Sequence, residues 1–391
     1  MQAFARGSFF SLSVALKIVS KTTPSRMNWL VEPCERSVLS SLTTPTSRKT
    51  GDSHLKFQQP YPEMLLHTYI GSLYAIGCCD SRVRKSTLKA KGVSTMRIIS
   101  YRSHPQDAWQ AGIELDGHVV AATAAYSYGD QLPTVRVLLE AGPAMLSTVL
   151  ANASEIFAAG DQPLLRLDTL ELGAPVADPA KIVCMGLNYA DHAAETQMPI
   201  PKYPVLFPKY RNSLTGPYSP IVLPRFSSKI DYEAELAVVI GQTCKDVSEQ
   251  DALHYVAGYT IMNDVTARDW QSFSSQWMPG KAIDTFAPMG PGIVPASELP
   301  DPQKLHITTR VNGQVLQDSN TAMMLFSVSK SIEFISTFMT LDPGDIISTG
   351  TPAGVGFSRK PPIYLHEGDV VEIEIECIGR IINQVVRSPS L

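Results

Sequence analysis

The stretch Asp231-Tyr-Glu233-Ala-Glu235-Leu-Ala-Val-Val-Ile240 decides how the second half of the chain folds. Its apolar end predicts a buried strand. Residues two apart on a strand point to the same face, so Glu233 and Glu235 project together. Two carboxylates at the edge of a core repel each other unless a positive charge lies between them. A hard cation with oxygen ligands meets that need, whereas the plain alternative is an exposed strand end with two solvated glutamates.

A second apolar segment supplies a third carboxylate. Val256-Ala-Gly-Tyr-Thr-Ile-Met-Asn predicts a strand that ends in Asp264. Three carboxylates from two strand ends suit Mg²⁺, which keeps its remaining positions for water or substrate oxygens. The alternative for Asp264 alone is a cap on the following turn. Together with Glu233 and Glu235, Asp264 predicts a magnesium site.

Candidate groups for proton transfer and substrate binding lie in other segments. Asn188-Tyr-Ala-Asp-His192-Ala-Ala-Glu195 predicts a short helix on which His192 and Glu195 share one face, since they are three residues apart. A carboxylate beside an imidazole orients it and raises its basicity, whereas the plain alternative is an exposed helical pair. Lys281 follows a Ser- and Gly-bearing loop and, taken alone, is typical of a solvated charge. Thr349-Gly-Thr351-Pro352 predicts a tight turn, where N–H groups and a hydroxyl can meet a carboxylate or serve no such role.

The remaining pattern predicts an α+β, mainly β fold. Further strands are predicted at Ile182–Met185, Leu305–Val311, Asp345–Thr349 and Val370–Glu376, with a hairpin turn at Asn312-Gly313 and a helix over Val328–Thr340. Many strands with few helices indicate a mixed β-roll and not a doubly wound sheet. We assign residues 176–391 to this catalytic domain.

Residues 96–175 predict a small α/β subdomain that precedes it. The predicted elements are a hairpin over Gly112–Ala122 with its turn at Asp116-Gly117, helical stretches over Val135–Leu139 and Ala144–Phe157, and a half-buried strand over Leu164–Leu172. A Pro-rich linker, residues 173–179, closes the subdomain.

Residues 1–95 differ from the rest in charge. They carry 13 basic and 5 acidic residues, whereas the remainder carries 20 basic and 32 acidic residues. Residues 1–31 include four basic side chains before the first acidic one, Glu32, and are rich in Ser and Thr, which is typical of a mitochondrial presequence. The rival interpretation is a disordered or mis-assigned extension, because Met96 begins a clean strand-like segment. We therefore expect either a mitochondrial or a cytoplasmic protein.

Composition excludes several classes of function. An acidic body without a basic stripe argues against nucleic-acid binding. The six cysteines include no CxxC pair, so their spacing fits neither a disulfide framework nor a zinc site. No segment reaches the roughly 18 uninterrupted apolar residues that span a bilayer. We expect neither a nucleic-acid nor a membrane partner.

Taken together, these segments resemble the fumarylacetoacetate hydrolase superfamily over residues 181–386. The matching stretches are Gly186-Leu-Asn-Tyr-Ala-Asp-His, Glu233-Ala-Glu235, Asn263-Asp-Val-Thr-Ala-Arg-Asp-Trp-Gln, Gly280-Lys281, Asp284-Thr-Phe and Thr349-Gly-Thr-Pro-Ala-Gly-Val-Gly. Each is weak alone, and their order and spacing carry the resemblance. Phe357-Ser-Arg-Lys-Pro-Pro and Ile381-Ile-Asn-Gln-Val-Val look most like the domain-containing protein 2 branch of that superfamily.

The resemblance implies a set of site residues. It implies that Glu233, Glu235 and Asp264 bind Mg²⁺ or Mn²⁺, with Ca²⁺ as a third candidate. His192 and Glu195 would form a catalytic dyad that orders when substrate closes the site, and Lys281 would assist catalysis. Residues expected to hold or polarise the substrate are Arg268, Gln271 and Thr351. Ala282 departs from the hydroxyl residue expected after the lysine, and the family fold implies a homodimer.

These residues lead to a hypothesis about the reaction. A small 2-oxo or 2,4-dioxo acid would chelate the metal, which stabilises an enolate. If the dyad activates water, a carbon–carbon bond of an acylpyruvate or fumarylacetoacetate-like substrate is hydrolysed, and this is our first expectation. If the dyad only moves a proton, oxaloacetate undergoes keto–enol tautomerisation, and decarboxylation uses the same enolate. An alternative of another class is a catalytically idle binding or structural homologue.

Overall fold

The computed structural model describes residues 96–128, 132–160, 164–299 and 301–388. The expectations for residues 1–95, including the presequence, lie outside the described residues. The strands are β1 (Arg97–Arg102), β2 (Gln110–Leu115), β3 (His118–Ala121), β4 (Leu165–Arg166), β5 (Glu171–Leu172), β6 (Ile182–Gly186), β7 (Val205–Lys209), β8 (Leu214–Thr215), β9 (Ile221–Leu223), β10 (Ile230–Asp231), β11 (Ala234–Ile240), β12 (Val256–Asn263), β13 (Thr266–Ala267), β14 (Ala287–Pro295), β15 (His306–Val311), β16 (Gln314–Asn320), β17 (Ile346–Ser348), β18 (Val370–Ile375) and β19 (Gly379–Arg387). The α-helices are α1 (Ala122–Ala125), α2 (Val135–Glu140), α3 (Pro143–Ala159), α4 (Ala190–Thr196), α5 (Arg268–Gln271), α6 (Met278–Lys281) and α7 (Val328–Phe338).

Two mixed sheets dominate the described residues. The larger sheet has twelve strands along the order β4-β3-β2-β1-β14-β12-β11-β17-β6-β7, with β5 beside β1 and β8 beside β14. The smaller sheet has the order β16-β15-β18-β19-β9. Strand β17 pairs with β6 in parallel and with β11 antiparallel, so the larger sheet is mixed. The α+β, mainly β fold class predicted from the sequence is confirmed.

Strand β11 is buried on both faces, which explains its unbroken apolar sequence. Leu236 and Val238 belong to a core cluster that includes Ile373 of the smaller sheet. Ala237 and Val239, on the opposite face, belong to a second cluster that includes residues of α2 and α3. The same alternation assigns Glu233 and Glu235 to the face of Ala237.

Local turn and cap signals were sufficient to predict several elements. Asp116-Gly117 joins β2 to β3, and Asn312-Gly313 joins β15 to β16, as predicted. Helix α7 begins after Ser327, whose hydroxyl accepts a hydrogen bond from Lys330 N at 3.1 Å. It ends at Phe338, two residues before the predicted end.

The prediction of one strand over Leu164–Leu172 is wrong. Two short strands, β4 and β5, are separated by a 3-10 turn at Leu167–Thr169 and pair with different neighbours, β3 and β1. The Thr169 hydroxyl donates to the Arg166 carbonyl at 2.7 Å and stabilises the turn. Alternation of apolar residues was therefore a misleading signal, because a local hydroxyl bond competed with the strand.

The predicted linker after β5 is not a solvated connection. Ala174 and Val176 are buried in the same cluster as residues of β2 and β11. Strand β1 also pairs with β14, so strands from residues 96–175 continue the larger sheet. A domain division at residue 175 stays a prediction.

Among the described residues, three cysteines and the helices relate to the expectations about disulfides and membrane spans. Cys184 and Cys244 are buried and Cys377 is exposed, and all three are free thiols. No helix in this part of the chain is both long and apolar enough to cross a membrane.

Candidate metal and proton-transfer site

Strand register brings the three carboxylates together. Ala234 pairs with Asn263, and Asp264 N donates to Glu233 O at 2.9 Å, so Glu233 and Asp264 face each other across β11 and β12. Glu235 lies two residues further along the same face. Candidate ligand oxygens of all three residues lie within 4.8 Å of one another, and all three side chains are buried. The alternative of solvated glutamates is wrong.

Lys281 lies between two of these carboxylates. Its Nζ is 2.7 Å from Glu233 Oε2 and 2.6 Å from Asp264 Oδ2, and its side chain is only 2% exposed. A solvated surface lysine is therefore the wrong interpretation. Burial opposes ionisation of Glu233, but the charges of Lys281 and then Arg268 outweigh burial and lower the pKa of Glu233 to about 2.

Two further cations complete the cluster. Arg268, which begins α5, places Nη2 2.7 Å from Glu233 Oε1 and Nε 2.8 Å from Asp231 Oδ2. Lys209, the last residue of β7, places Nζ 2.7 Å from Asp264 Oδ1 and 3.1 Å from the Val265 carbonyl. Each oxygen of Asp264 therefore faces a different lysine.

Glu235 is the carboxylate that fits an added cation. Among the described residues it enters no ion pair, and its Oε2 accepts hydrogen bonds from Ser348 Oγ and, at 3.1 Å, from Gly350 N. Burial, followed by the charges of Asp264 and Glu233, raises the pKa of Glu235 well above its ordinary value. A divalent cation would remove that repulsion, so the donor set of Glu233, Glu235 and Asp264 fits Mg²⁺ chemically.

The predicted His–Glu pair forms on helix α4. His192 Nδ1 lies 3.3 Å from Glu195 Oε2, and the His192 side chain is 8% exposed, so the alternative of an exposed pair is wrong. Glu195 also accepts from Gly354 N at 3.0 and 3.1 Å. Burial raises the pKa of Glu195, but the hydrogen bonds from His192, Ser358 and Gly354 outweigh burial and lower it.

One cavity joins the carboxylate cluster to this pair. It measures about 270 Å³ and is lined by Met185, Gly186, Leu187, His192, Thr196, Met198, Phe207, Glu233, Glu235, Arg268, Gln271, Ser272, Trp277, Lys281, Thr351 and Phe357. Gln271 Oε1 accepts from Arg268 Nη1 at 3.1 Å, and Thr351 Oγ1 accepts from Gln317 Nε2 at 2.8 Å. Glu195 is absent from this lining, so it reaches the cavity through His192.

Sequence reasoning missed Lys209 and the two aromatic side chains, Phe207 and Trp277, that line the cavity. The Trp277 ring packs so closely on Gly186 that a Cβ there would come within 2.2 Å of it, and it meets Phe207 at 5.4 Å between ring centroids. Lys209 is in phase with Phe207 on β7, so a lysine on the buried face of a strand was the available signal.

A known family matches the part of the chain that contains this site. The family described as Fumarylacetoacetate (FAA) hydrolase C-terminal matches residues 181–386. The chain belongs to this family. The resemblance noted in the sequence, including its domain-containing protein 2 branch, is thereby confirmed.

Relatives of the family cover most of the chain. Oxaloacetate tautomerase fahd2, mitochondrial, of Xenopus laevis is 41% identical over 77% of this chain and 94% of that protein. The fumarylacetoacetate hydrolase domain-containing protein 2 homolog of Dictyostelium discoideum is 50% identical over 56% of this chain and 75% of that protein. Among solved structures, fumarylacetoacetate hydrolase from psychrophilic Exiguobacterium antarcticum is 37% identical with a TM-score of 0.65, covering 75% of this chain and all of that one.

Proposed function

We propose that this protein is a divalent-metal-dependent oxaloacetate keto–enol tautomerase. The observation that carries the proposal is that His192 lines the same cavity as Glu233 and Glu235, whose carboxylates cluster with that of Asp264. Relatives such as the Xenopus laevis protein bear the name oxaloacetate tautomerase. The tautomerase alternative of the sequence analysis therefore stands ahead of carbon–carbon bond hydrolysis.

The metal would be held by Glu233, Glu235 and Asp264. Mg²⁺ or Mn²⁺ bound there supplies Lewis-acid stabilisation of negative charge on the substrate oxygens. The charge balance supports this assignment. The buried cluster has four carboxylates and three cations, namely Asp231, Glu233, Glu235 and Asp264 with Lys209, Arg268 and Lys281. If all seven are ionised the net charge is −1, and a divalent cation changes it to +1, which suits an anionic oxo acid.

His192 would carry the proton. An ionised carboxylate only accepts hydrogen bonds, so Glu195 fixes the proton of His192 on Nδ1 and leaves Nε2 free as a base. Nε2 takes a proton from carbon 3 of the oxo acid, and the proton is returned to the carbon 2 oxygen to give the enol. Lys281 adds positive charge beside that oxygen, while Arg268, Gln271 and Thr351 bind the substrate.

Hydrolysis of an acylpyruvate is the second candidate function. The part of the cavity lined by Met198, Phe207 and Trp277 is apolar, which suits the acyl group of a 2,4-dioxo acid better than a second carboxylate. In that reaction the His192–Glu195 pair would activate water in place of moving a substrate proton.

One assay separates these functions. The purified full chain is mixed with oxaloacetate or an acylpyruvate, with Mg²⁺ or with a chelator, and enol absorbance and pyruvate release are followed. A tautomerase accelerates enol–keto exchange without releasing pyruvate. A hydrolase cleaves the acylpyruvate, and a decarboxylase releases pyruvate from oxaloacetate. Absence of all three activities, together with no thermal stabilisation by Mg²⁺ or Mn²⁺, would favour the idle homologue.

Location and assembly follow the same reasoning. The name of the Xenopus laevis relative includes the word mitochondrial, and residues 1–31 have the composition of a presequence, so we propose mitochondrial import. Import of the full chain, with loss of import when residues 1–31 are removed, is the test. We also propose a homodimer, which light scattering of the purified protein checks.

A further inference from the structure

Asp231 shares Arg268 with Glu233 and does not line the cavity. Its side chain is fully buried and receives four hydrogen bonds. Oδ1 accepts from Tyr232 N at 2.9 Å and from Gly356 N at 2.8 Å, while Oδ2 accepts from Arg268 Nε at 2.8 Å and from Phe357 N at 3.0 Å. Two of these donors belong to a distant segment, residues 354–357, which enters a 3-10 turn at Gly356–Ser358 and which we name the strap.

The strap contacts Arg268 as well as Asp231. The Arg268 guanidinium carbon lies 4.2 Å from the centre of the Phe357 ring, which also lines the cavity. Asp231 therefore fixes a cation and the ring against which that cation packs. The four donors offset part of the cost of burying this carboxylate, and its loss would leave the N–H groups of Gly356 and Phe357 without an acceptor.

The other end of the strap reaches the proton-transfer pair. Gly354 N donates to both oxygens of Glu195, at 3.0 and 3.1 Å. The Gly354 carbonyl accepts from the Tyr232 hydroxyl at 3.0 Å. Gly354 has φ +101°, and a Cβ there would come within 2.1 Å of the Leu316 carbonyl oxygen. The position of Gly354 is therefore tightly determined.

We propose that Asp231 is a positioning residue for proton transfer. It fixes Gly356 and Phe357, thereby holds Gly354 where Glu195 accepts its N–H, and so orients His192 towards the cavity. This inference rests on the proposed proton-transfer role of His192 and adds a continuous connection from the cluster to helix α4.

The test uses the full-length, Mg²⁺-loaded protein and the variant Asp231→Asn. Asp269→Asn is the matched control, because Asp269 accepts from Ser227 Oγ at 2.6 Å and from Trp270 N at 3.0 Å, and neither donor belongs to the strap. We expect Asp231→Asn to speed amide hydrogen exchange at residues 354–357 and 190–196 and to lower kcat for oxaloacetate roughly tenfold. Asp269→Asn should change neither.

A double variant separates positioning from general stabilisation. In a Glu195→Gln background, Asp231→Asn should lower kcat by less than twofold, because the connection to the pair is already broken. The inference would be overturned if Asp231→Asn left amide hydrogen exchange at residues 190–196 unchanged. It would also be overturned if the reductions of kcat in Asp231→Asn and Glu195→Gln multiplied in the double variant. Faster exchange there in a protein whose wild type has no tautomerase activity would refute the proposed function and leave the connection standing.

If Asp231→Asn does not fold, Tyr232→Phe replaces it. This change removes the shortest hydrogen bond to the Gly354 carbonyl, which also accepts from Arg359 at 3.2 and 3.3 Å. Faster exchange at residues 190–196 supports the strap connection, and unchanged exchange there overturns it.

Discussion

The carboxylate cluster and the His192–Glu195 pair both contribute side chains to one cavity but are built differently. Glu233 and Asp264 lie at the ends of neighbouring strands in the larger sheet, and every cation around them is buried or nearly so. His192 and Glu195 lie on the seven-residue helix α4. The Glu195 carboxylate accepts a hydrogen bond from the backbone N–H of Gly354. One region depends on a sheet and the other on a few hydrogen bonds.

That difference separates two functions in physical terms. A cation-binding cluster needs fixed distances between like charges, which strand register supplies. A proton carrier needs an oriented ring and access to the substrate, which a short helix supplies with less restraint. We therefore expect metal binding and proton transfer to respond to different substitutions.

The largest effect is expected from Glu235→Gln. Glutamine keeps the shape and an acceptor for Ser348 and Gly350 but removes the negative charge, so Mg²⁺ binding and activity should both be lost. Calorimetric titration with Mg²⁺ and the oxaloacetate assay measure the two losses. Glu374→Gln, an exposed strand glutamate, is the control and should change neither. Full Mg²⁺ affinity in Glu235→Gln would show that the carboxylate cluster does not bind the metal through Glu235.

His192→Gln should separate the two regions. Turnover should fall by about 10²–10⁴-fold, the usual contribution of a general base, while Mg²⁺ affinity stays unchanged. His306→Gln is the control, because His306 forms an exposed pair with Asp318 at 2.6 Å and does not line the cavity. Retained turnover in His192→Gln would refute the assignment of the proton carrier.

Lys209→Met tests whether the cluster depends on its second lysine. Removing one partner of a buried ion pair should lower the free energy of unfolding by up to about 3–5 kcal/mol, because Asp264 Oδ1 loses its lysine and only Lys281, at Oδ2, still balances the buried charge. Denaturant unfolding measures the loss. Lys245→Met is the control, since the Lys245 ammonium bonds backbone carbonyls at the surface. If the free energy of unfolding fell no more than in the control, Lys209 would not stabilise the carboxylate cluster.

Ser319→Ala should give the smallest effect and act on the helix alone. The Ser319 hydroxyl donates to Asp191 Oδ2 at 2.6 Å and ties α4 to β16. Its loss should cost about 1 kcal/mol of stability and speed hydrogen exchange in α4, with Mg²⁺ affinity unchanged. Ser154→Ala, which removes a bond within helix α3, serves as control. Weaker Mg²⁺ binding in Ser319→Ala would contradict the separation of the two regions.

Local sequence signals predicted much of the fold and part of the site. Strand β11 lies where the sequence predicted a buried strand, because Leu236 to Ile240 form an unbroken apolar run. The facing pair His192 and Glu195 was predicted, because helical spacing is a local property. The segment Leu164–Leu172 was misread, because alternation alone does not reveal where a chain changes its pairing partner.

The sequence by itself determined the fold class, the shared face of Glu233 and Glu235, and the family, since each depends on short-range periodicity or on the order of motifs. Only the tertiary structure decided that Lys209 meets Asp264, that Asp231 holds residues 354–357, and that Gly354 reaches Glu195. These partners are separated by 55 to more than 100 positions in the sequence. Their contacts depend on which strands become neighbours, and no local pattern encodes that choice.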